Sequence, residues 1–243
     1  METTNLQRVK SLLLISNSAV PGEEFLQNSI SQIEDMLRGV ESLCFIPHAA
    51  VTISMDSYFE KFKNRLSHIN IGVESLHNSS DPIQTIAQAG AICVGGGNTF
   101  ALIDRLQKLG VTDIIRERVE QGTPYIGWSA GSNIAAPRIS TTNDMPIVEP
   151  QSFDALNLIP FQINPHYTDS TIQGHGGESR EDRIMEYMEL NRDSYVVGLR
   201  EGMMLKLSGS RLELIGDNSM RIFKYGEPPR ELAAQDDINF LIK

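Results

Sequence analysis

From Val9 to Ser129 the chain repeats one pattern: a short apolar run, a few turn residues, then apolar positions at helical spacing. Val9 to Ile15, ended by Ser16-Asn17-Ser18, reads as a first buried strand, and Leu43 to Ile46, stopped by Pro47, as a second. Ile69 to Val73, Ala91 to Val94 and Tyr125 to Trp128 supply three more. Between them, Phe25, Leu26, Ile30, Ile33, Met36 and Leu37 recur at helical spacing, a helix is expected around Asp56 to Leu66, and Asp81-Pro82 open one that ends at Gly90. Helices over Thr99 to Lys108 and Val111 to Glu120 follow. This alternation predicts an α/β fold, a doubly wound, mostly parallel sheet with helices on both faces. Such sheets bind ligands outside the carboxyl ends of their strands.

The pattern loosens from Arg138 to Asn164, with five prolines between Pro137 and Pro165. A long irregular excursion inside an α/β chain is usually functional. Helical spacing returns over Glu178 to Leu190. Tyr195 to Leu199, Met203 to Leu207, Arg211 to Ile215, Met220 to Tyr225 and Ile238 to Ile242 then read as short strands. Turns at Ser208-Gly209-Ser210 and Gly216-Asp217-Asn218 make them antiparallel hairpins completing one edge. At 243 residues, one domain, 1–243, is expected.

Two of the predicted strand ends carry unusual turns. Ala91 to Val94 runs into Gly95-Gly96-Gly97-Asn98, where backbone N–H groups can approach a ligand closely. No Gly-Lys-Ser/Thr follows, so this is no phosphate loop. A plain glycine turn is the simpler reading. Tyr125 to Trp128 runs into Gly127-Trp128-Ser129-Ala130-Gly131, a Gly-x-Ser-x-Gly sequence followed by residues able to start a helix. That is the setting of a nucleophile elbow, with the Ser129 hydroxyl presented at the strand end. Chance yields roughly one such match in ten chains of this length and composition, so the surroundings must decide.

Serine needs a base and a group to orient that base. His48, His68 and His77 precede the elbow and read as ordinary, partly exposed histidines. His166, after Asn164-Pro165, and His175, in Gly174-His175-Gly176-Gly177, both follow it; the fixed backbone at Pro165 favours His166. The five histidines show no metal-ligand spacing, and Cys44 and Cys93 lie in apolar runs as reduced structural thiols. A formal charge of −10 argues against nucleic acid or anionic membranes as partners, since both want basic patches. The polar N-terminus and the absence of a long apolar run make the cytosol the default compartment.

Five stretches together resemble one family. Val94-Gly95-Gly96-Gly97-Asn98-Thr99-Phe100, Ile126-Gly127-Trp128-Ser129-Ala130-Gly131, Thr141-Thr142-Asn143-Asp144-Met145-Pro146-Ile147-Val148, Gln162-Ile163-Asn164-Pro165-His166 and Gly198-Leu199-Arg200-Glu201-Gly202 look like peptidase E. These are the aspartyl dipeptidases among the serine peptidases, related in fold to class I glutamine amidotransferases. The resemblance spans about Leu12 to Phe223 in the family's order and spacing.

The resemblance implies Ser129 as nucleophile, His166 as general base and Glu201 as the carboxylate orienting it. The order Ser, His, Glu departs from that of the α/β hydrolases, which run Ser, Asp or Glu, His. It further implies an oxyanion hole from the N–H groups of Gly97 and Ala130, Arg180 gripping an aspartyl side chain, and Asp144 holding the α-ammonium of an Asp-X dipeptide. Asp144 also rivals Glu201 as the third member of the triad. By itself Glu201 reads rather as a solvated turn residue, while Arg180 reads equally as a helix-surface cation and Asp144 as a turn former. No cofactor or metal is implied, and a homodimer fits the family. A cyanophycinase-like hydrolase of β-aspartyl linkages and a non-catalytic binder of acidic peptides are the alternatives. The glycines of Gln173 to Gly177 suggest a lid.

Overall fold

The computed structural model describes residues 9–170 and 176–243. In chain order the first half contains β1 (Ser11–Ile15), α1 (Ile30–Met36), β2 (Ser42–Ile46), α2 (Met55–Arg65), β3 (Gly72–Ser75), α3 (Pro82–Gln88) and β4 (Ala91–Val94). There follow α4 (Thr99–Lys108), α5 (Thr112–Glu120), β5 (Tyr125–Trp128), α6 (Ala130–Asn133), β6 (Gln162–Tyr167) and α7 (Arg180–Leu190). The chain closes with β7 (Tyr195–Arg200), β8 (Met204–Ser208), β9 (Arg211–Ile215), β10 (Met220–Lys224) and β11 (Arg230–Leu232).

Seven strands form the main sheet in the order β3-β2-β4-β5-β1-β8-β9. The first five are parallel; the β8–β9 hairpin runs antiparallel along one edge. The parallel strands are buried on both faces because alternate residues enter separate cores. Leu12, Leu14, Ile92, Val94 and Tyr125 pack with Ile86 of α3, Leu102 and Leu106 of α4 and Ile115 of α5. Leu13, Ile15, Phe45, Cys93, Ile126 and Trp128 pack with Ile33 of α1 and Tyr58 and Phe62 of α2. The mostly parallel sheet with helices on both faces is therefore as the sequence predicts. Cys44 and Cys93 are buried free thiols, and burial raises the pKa of both. No helix among the described residues is long and apolar enough to cross a membrane.

The C-terminal strands differ from expectation. Only β8 and β9 join the main sheet; β6 and β7 pair in parallel and, with β10 and β11, make a second sheet ordered β11-β10-β7-β6. One face of this sheet, through Ile163, Val197 and Leu199, shares the core of the first. The other, through Tyr167, Val196 and Phe223, is covered by Ile184 and Met188 of α7. Ile238 to Ile242 is not a strand but a single tight turn over Asn239–Ile242. Ile238 and Leu241, three apart, reach the core together, and Asn239 Oδ1 accepts the Leu212 N–H at 2.8 Å. Helix α1 starts later than its apolar spacing implies because Leu26, at φ 55°, breaks the helical path. Strand β3 lies slightly beyond its predicted run, since Ile69 and Ile71 pack against the core ahead of it.

Candidate active site

The site forms where β1, β4 and β5 end and where β6 and β7 of the second sheet arrive beside them. Ser129 links β5 to α6 with φ 53° and ψ −112°. Such a backbone costs a non-glycine residue on the order of 1–3 kcal/mol and persists only where its surroundings dictate it. Here the Ser129 N–H donates to Ile15 O at 3.0 Å, and the single Ser132 Oγ–H is shared between Ile15 O and Gly127 O at 2.7 and 2.8 Å. The flanking glycines are steric requirements. A Cβ on Gly127 would strike the Gly131 carbonyl, and one on Gly131 the Val94 carbonyl.

His166 is placed by a bulge. The β6–β7 register shifts between Pro165 and Tyr167, and His166 stands at φ 54°. Its Nε2 lies 2.9 Å from Ser129 Oγ, and its Nδ1 lies 2.8 Å from Glu201 Oε1. With Nδ1–H donating to the carboxylate, Nε2 is left to accept the serine proton. Glu201 follows β7 in a turn closed by Met203 N–H to Arg200 O at 3.1 Å, with Gly202 at φ 82°. Arg200 anchors that turn through Glu231 (2.8 Å), Asp169 (2.5 Å) and Ser219 O (3.0 Å), and the Glu231 and Asp169 carboxylates raise its own pKa.

Two residues whose sequence context marks only the end of a strand hold this arrangement. Ser16 Oγ accepts the His166 N–H at 2.9 Å and donates to Leu199 O at 2.8 Å, tying β1 to β6 and β7. Asn17 Oδ1 accepts the Gly202 N–H at 2.8 Å. Both are buried. Removing the Ser16 hydroxyl leaves the strained His166 N–H without its acceptor, which costs about 1–3 kcal/mol. Ser16→Ala is expected to lower the melting temperature by several degrees and turnover by about tenfold, measured by calorimetry and by a hydrolysis assay.

Of the other described histidines, two are paired elsewhere and His48, expected to be partly exposed, is buried instead. His68 Nε2 meets Glu34 at 2.5 Å, His77 meets Asp56 at 2.9 Å, and His48 is buried, its pKa lowered to about 4 by desolvation and by Arg105. His175 and most of the suggested lid lie outside the described residues. Asp144, the rival to Glu201, accepts Thr99 N–H at 2.7 Å and Thr142 Oγ–H at 3.2 Å instead of meeting His166.

Ser129, His166, Gly96, Gly97 and Asn98 line a cavity of about 560 Å³. Gly97 has φ 142°, and a Cβ there would collide with the Ala49 backbone. The Gly97 and Ala130 N–H groups donate to no protein acceptor among the described residues, so both can serve a ligand oxygen. Arg180, the first residue of α7, lines a second cavity of about 650 Å³ that shares His166 and includes Glu201. It is half-buried, and its Nη1 has no partner among the described residues. Desolvation and Arg183 lower its pKa, while Glu201 and Asp144 oppose that shift. Among the described residues, no three His, Cys, Asp or Glu side chains cluster as around a metal ion.

A serine at a strained strand–helix turn, in line with an imidazole and a carboxylate above a mostly parallel sheet, is an arrangement in which the serine can act as a nucleophile. The chain belongs to peptidase family S51, whose model matches residues 12–215, and it is a serine-type peptidase. It is 48% identical to peptidase E of Nostoc sp. over 235 residues, covering 96% of this chain and 97% of that one. It is 43% identical to peptidase E of Shewanella amazonensis (95% and 98% covered) and 44% identical to that of Shigella flexneri (92% and 97%). Its fold matches a peptidase from an acI-B1 actinobacterium with TM-score 0.70, at 20% identity over 96% of this chain and 97% of that one. A candidate peptidase E from Listeria monocytogenes matches with TM-score 0.64, at 23% identity over 86% and 100%.

Proposed function

We propose that this peptidase hydrolyses dipeptides with an N-terminal aspartate. Ser129 attacks the peptide carbonyl, His166 takes its proton and returns it to the leaving amine, and Glu201 holds the imidazole and stabilises its charged form. Gly97 and Ala130 N–H groups receive the oxyanion. Water, activated by His166, then releases aspartate from the acyl-enzyme. The observation that carries this reading is the unbroken contact path Ser129–His166–Glu201, at 2.9 and 2.8 Å.

Arg180 supports the aspartyl preference. A cation in the first turn of a helix opposes the helix dipole, and burial adds a desolvation cost. A guanidinium kept there under both penalties, with Nη1 unpartnered among the described residues, suits a carboxylate ligand held bidentately. Asp144, half-buried at the N-terminus of α4, supplies the opposite charge for the α-ammonium. An asparaginyl substrate leaves Arg180 unpaired. Arg180→Ala is expected to cut kcat/KM for Asp-Leu by about 100-fold and to narrow the gap between Asp-Leu and Asn-Leu. Equal cleavage of the two dipeptides by the unmodified enzyme would refute the aspartyl assignment. A cyanophycinase-like activity predicts instead that a β-Asp-Arg dipeptide is cleaved faster than Asp-Leu.

A further inference from the structure

The 560 Å³ cavity has a wall that the hydrolytic chemistry leaves unused. Beside Gly96, Gly97 and Ser129 it is lined by Phe25, Val51, Ile53, Tyr58 and Ile147. Val51, Ile53 and Ile147 are 49%, 50% and 52% exposed, a concentration of large apolar side chains at one opening of an otherwise acidic molecule. Exposed apolar groups gathered at a concave site mark a surface that is covered when a ligand binds. The wall is fixed rather than adaptable. Trp128 Nε1 donates to Tyr58 Oη at 2.7 Å, and Phe25 packs edge-on against both Tyr58 and Trp128.

Lys61 is the one lysine or arginine in this lining. Its Nζ sits 4.6 Å from the centroid of the Phe25 ring, and it forms no ion pair among the described residues. A cation–π contact holds an ammonium in place while leaving its N–H donors available. Arg180 lies in the other cavity, across the shared His166. With the aspartyl side chain at Arg180 and the carbonyl at Ser129, the cavity that Arg180 does not line is the space open to the second residue. That residue ends in a carboxylate.

We propose that Lys61 binds the free α-carboxylate of the leaving residue while Phe25, Val51, Ile53 and Ile147 receive its apolar side chain. The inference rests on the dipeptidase reading above and adds the determinant for the second residue. A neutral C-terminus, or a further peptide unit in place of the carboxylate, forfeits the charge contact. Dipeptides with a large apolar second residue are preferred over those whose second side chain carries charge.

The test compares Asp-Leu with Asp-leucinamide, which differ only in the terminal charge. The unmodified enzyme is expected to favour Asp-Leu by about tenfold in kcat/KM, the range of a hydrogen-bonded contact between charged groups at a partly open site. Lys61→Met keeps the aliphatic stem against Phe25 and removes the charge; the ratio of the two substrates is expected to fall close to one, and Lys61→Arg to restore most of it. A ratio near one in the unmodified enzyme, or a ratio untouched by Lys61→Met, would overturn the Lys61 assignment and leave the dipeptidase reading standing. Failure of the unmodified enzyme to cleave Asp-Leu at all would overturn that reading, and the subsite with it.

Discussion

Ser129→Ala is expected to lower kcat for Asp-Leu by about 10⁶-fold, the scale on which a serine nucleophile contributes when its base and oxyanion donors are already aligned. The substitution deletes one oxygen from a site whose other parts are held independently. The elbow is kept by backbone contacts from Ser129 N–H and by Ser132 Oγ, neither of which involves the lost hydroxyl. The melting temperature should therefore move by only a few degrees, and Asp-Leu should still bind. Release of leucine, followed by amine derivatisation and chromatography, measures the first effect, and calorimetry the second. Turnover within tenfold of the unmodified enzyme would rule Ser129 out as the nucleophile.

Glu201→Gln carries the next largest effect, a loss of roughly 10³-fold in kcat. The carboxylate accepts from Nδ1 and so assigns the imidazole proton to the nitrogen away from the serine. A glutamine amide can present N–H to Nδ1 instead, which places the remaining ring proton on Nε2 and removes the base. The side chain is nearly isosteric, and the turn behind it is held by Asn17 and by the Arg200 contacts, so the backbone should stay in place. The comparison with Asp144→Asn separates the two candidate carboxylates. If Glu201 orients His166, Glu201→Gln acts mainly on kcat, whereas Asp144→Asn acts mainly on KM through the substrate amine. A larger kcat loss for Asp144→Asn would reverse the assignment. Steady-state kinetics over a range of Asp-Leu concentrations resolves both.

What the sequence made legible follows from how local each feature is. The elbow and the glycine turn at residues 95–97 could be read because their constraints act within a few residues: a Cβ at 127, 131 or 97 has nowhere to go. The parallel core strands were readable because burial on both faces leaves an unbroken apolar run. The second sheet was not, since the apolar pattern of Tyr195–Arg200 says nothing about whether it joins β8 or turns to β6 and β10. Ser16 and Asn17 look like any strand-ending turn; their roles exist only because β1 is brought beside residues 150 and 185 positions further along. Glu201, Arg180 and Asp144 were singled out by resemblance, because an isolated turn glutamate, a helix-start arginine and an aspartate before Met-Pro carry no local mark of a ligand.

The two-sheet arrangement has a bearing on how the enzyme comes into being. Ser129 belongs to the main sheet, while His166 and Glu201 arrive on the ends of β6 and β7 in the other. The contact between Ser129 and His166 spans the two sheets, so neither sheet by itself brings the serine to its base. During folding, the polypeptide can complete its parallel layer, helices included, and still be inert. Under the proposed triad, the reactive contact requires both layers in place, with Ser16 bonded to both His166 and Leu199. On that triad, cleavage depends on long-range assembly, and peptidase activity reports that the two layers have docked.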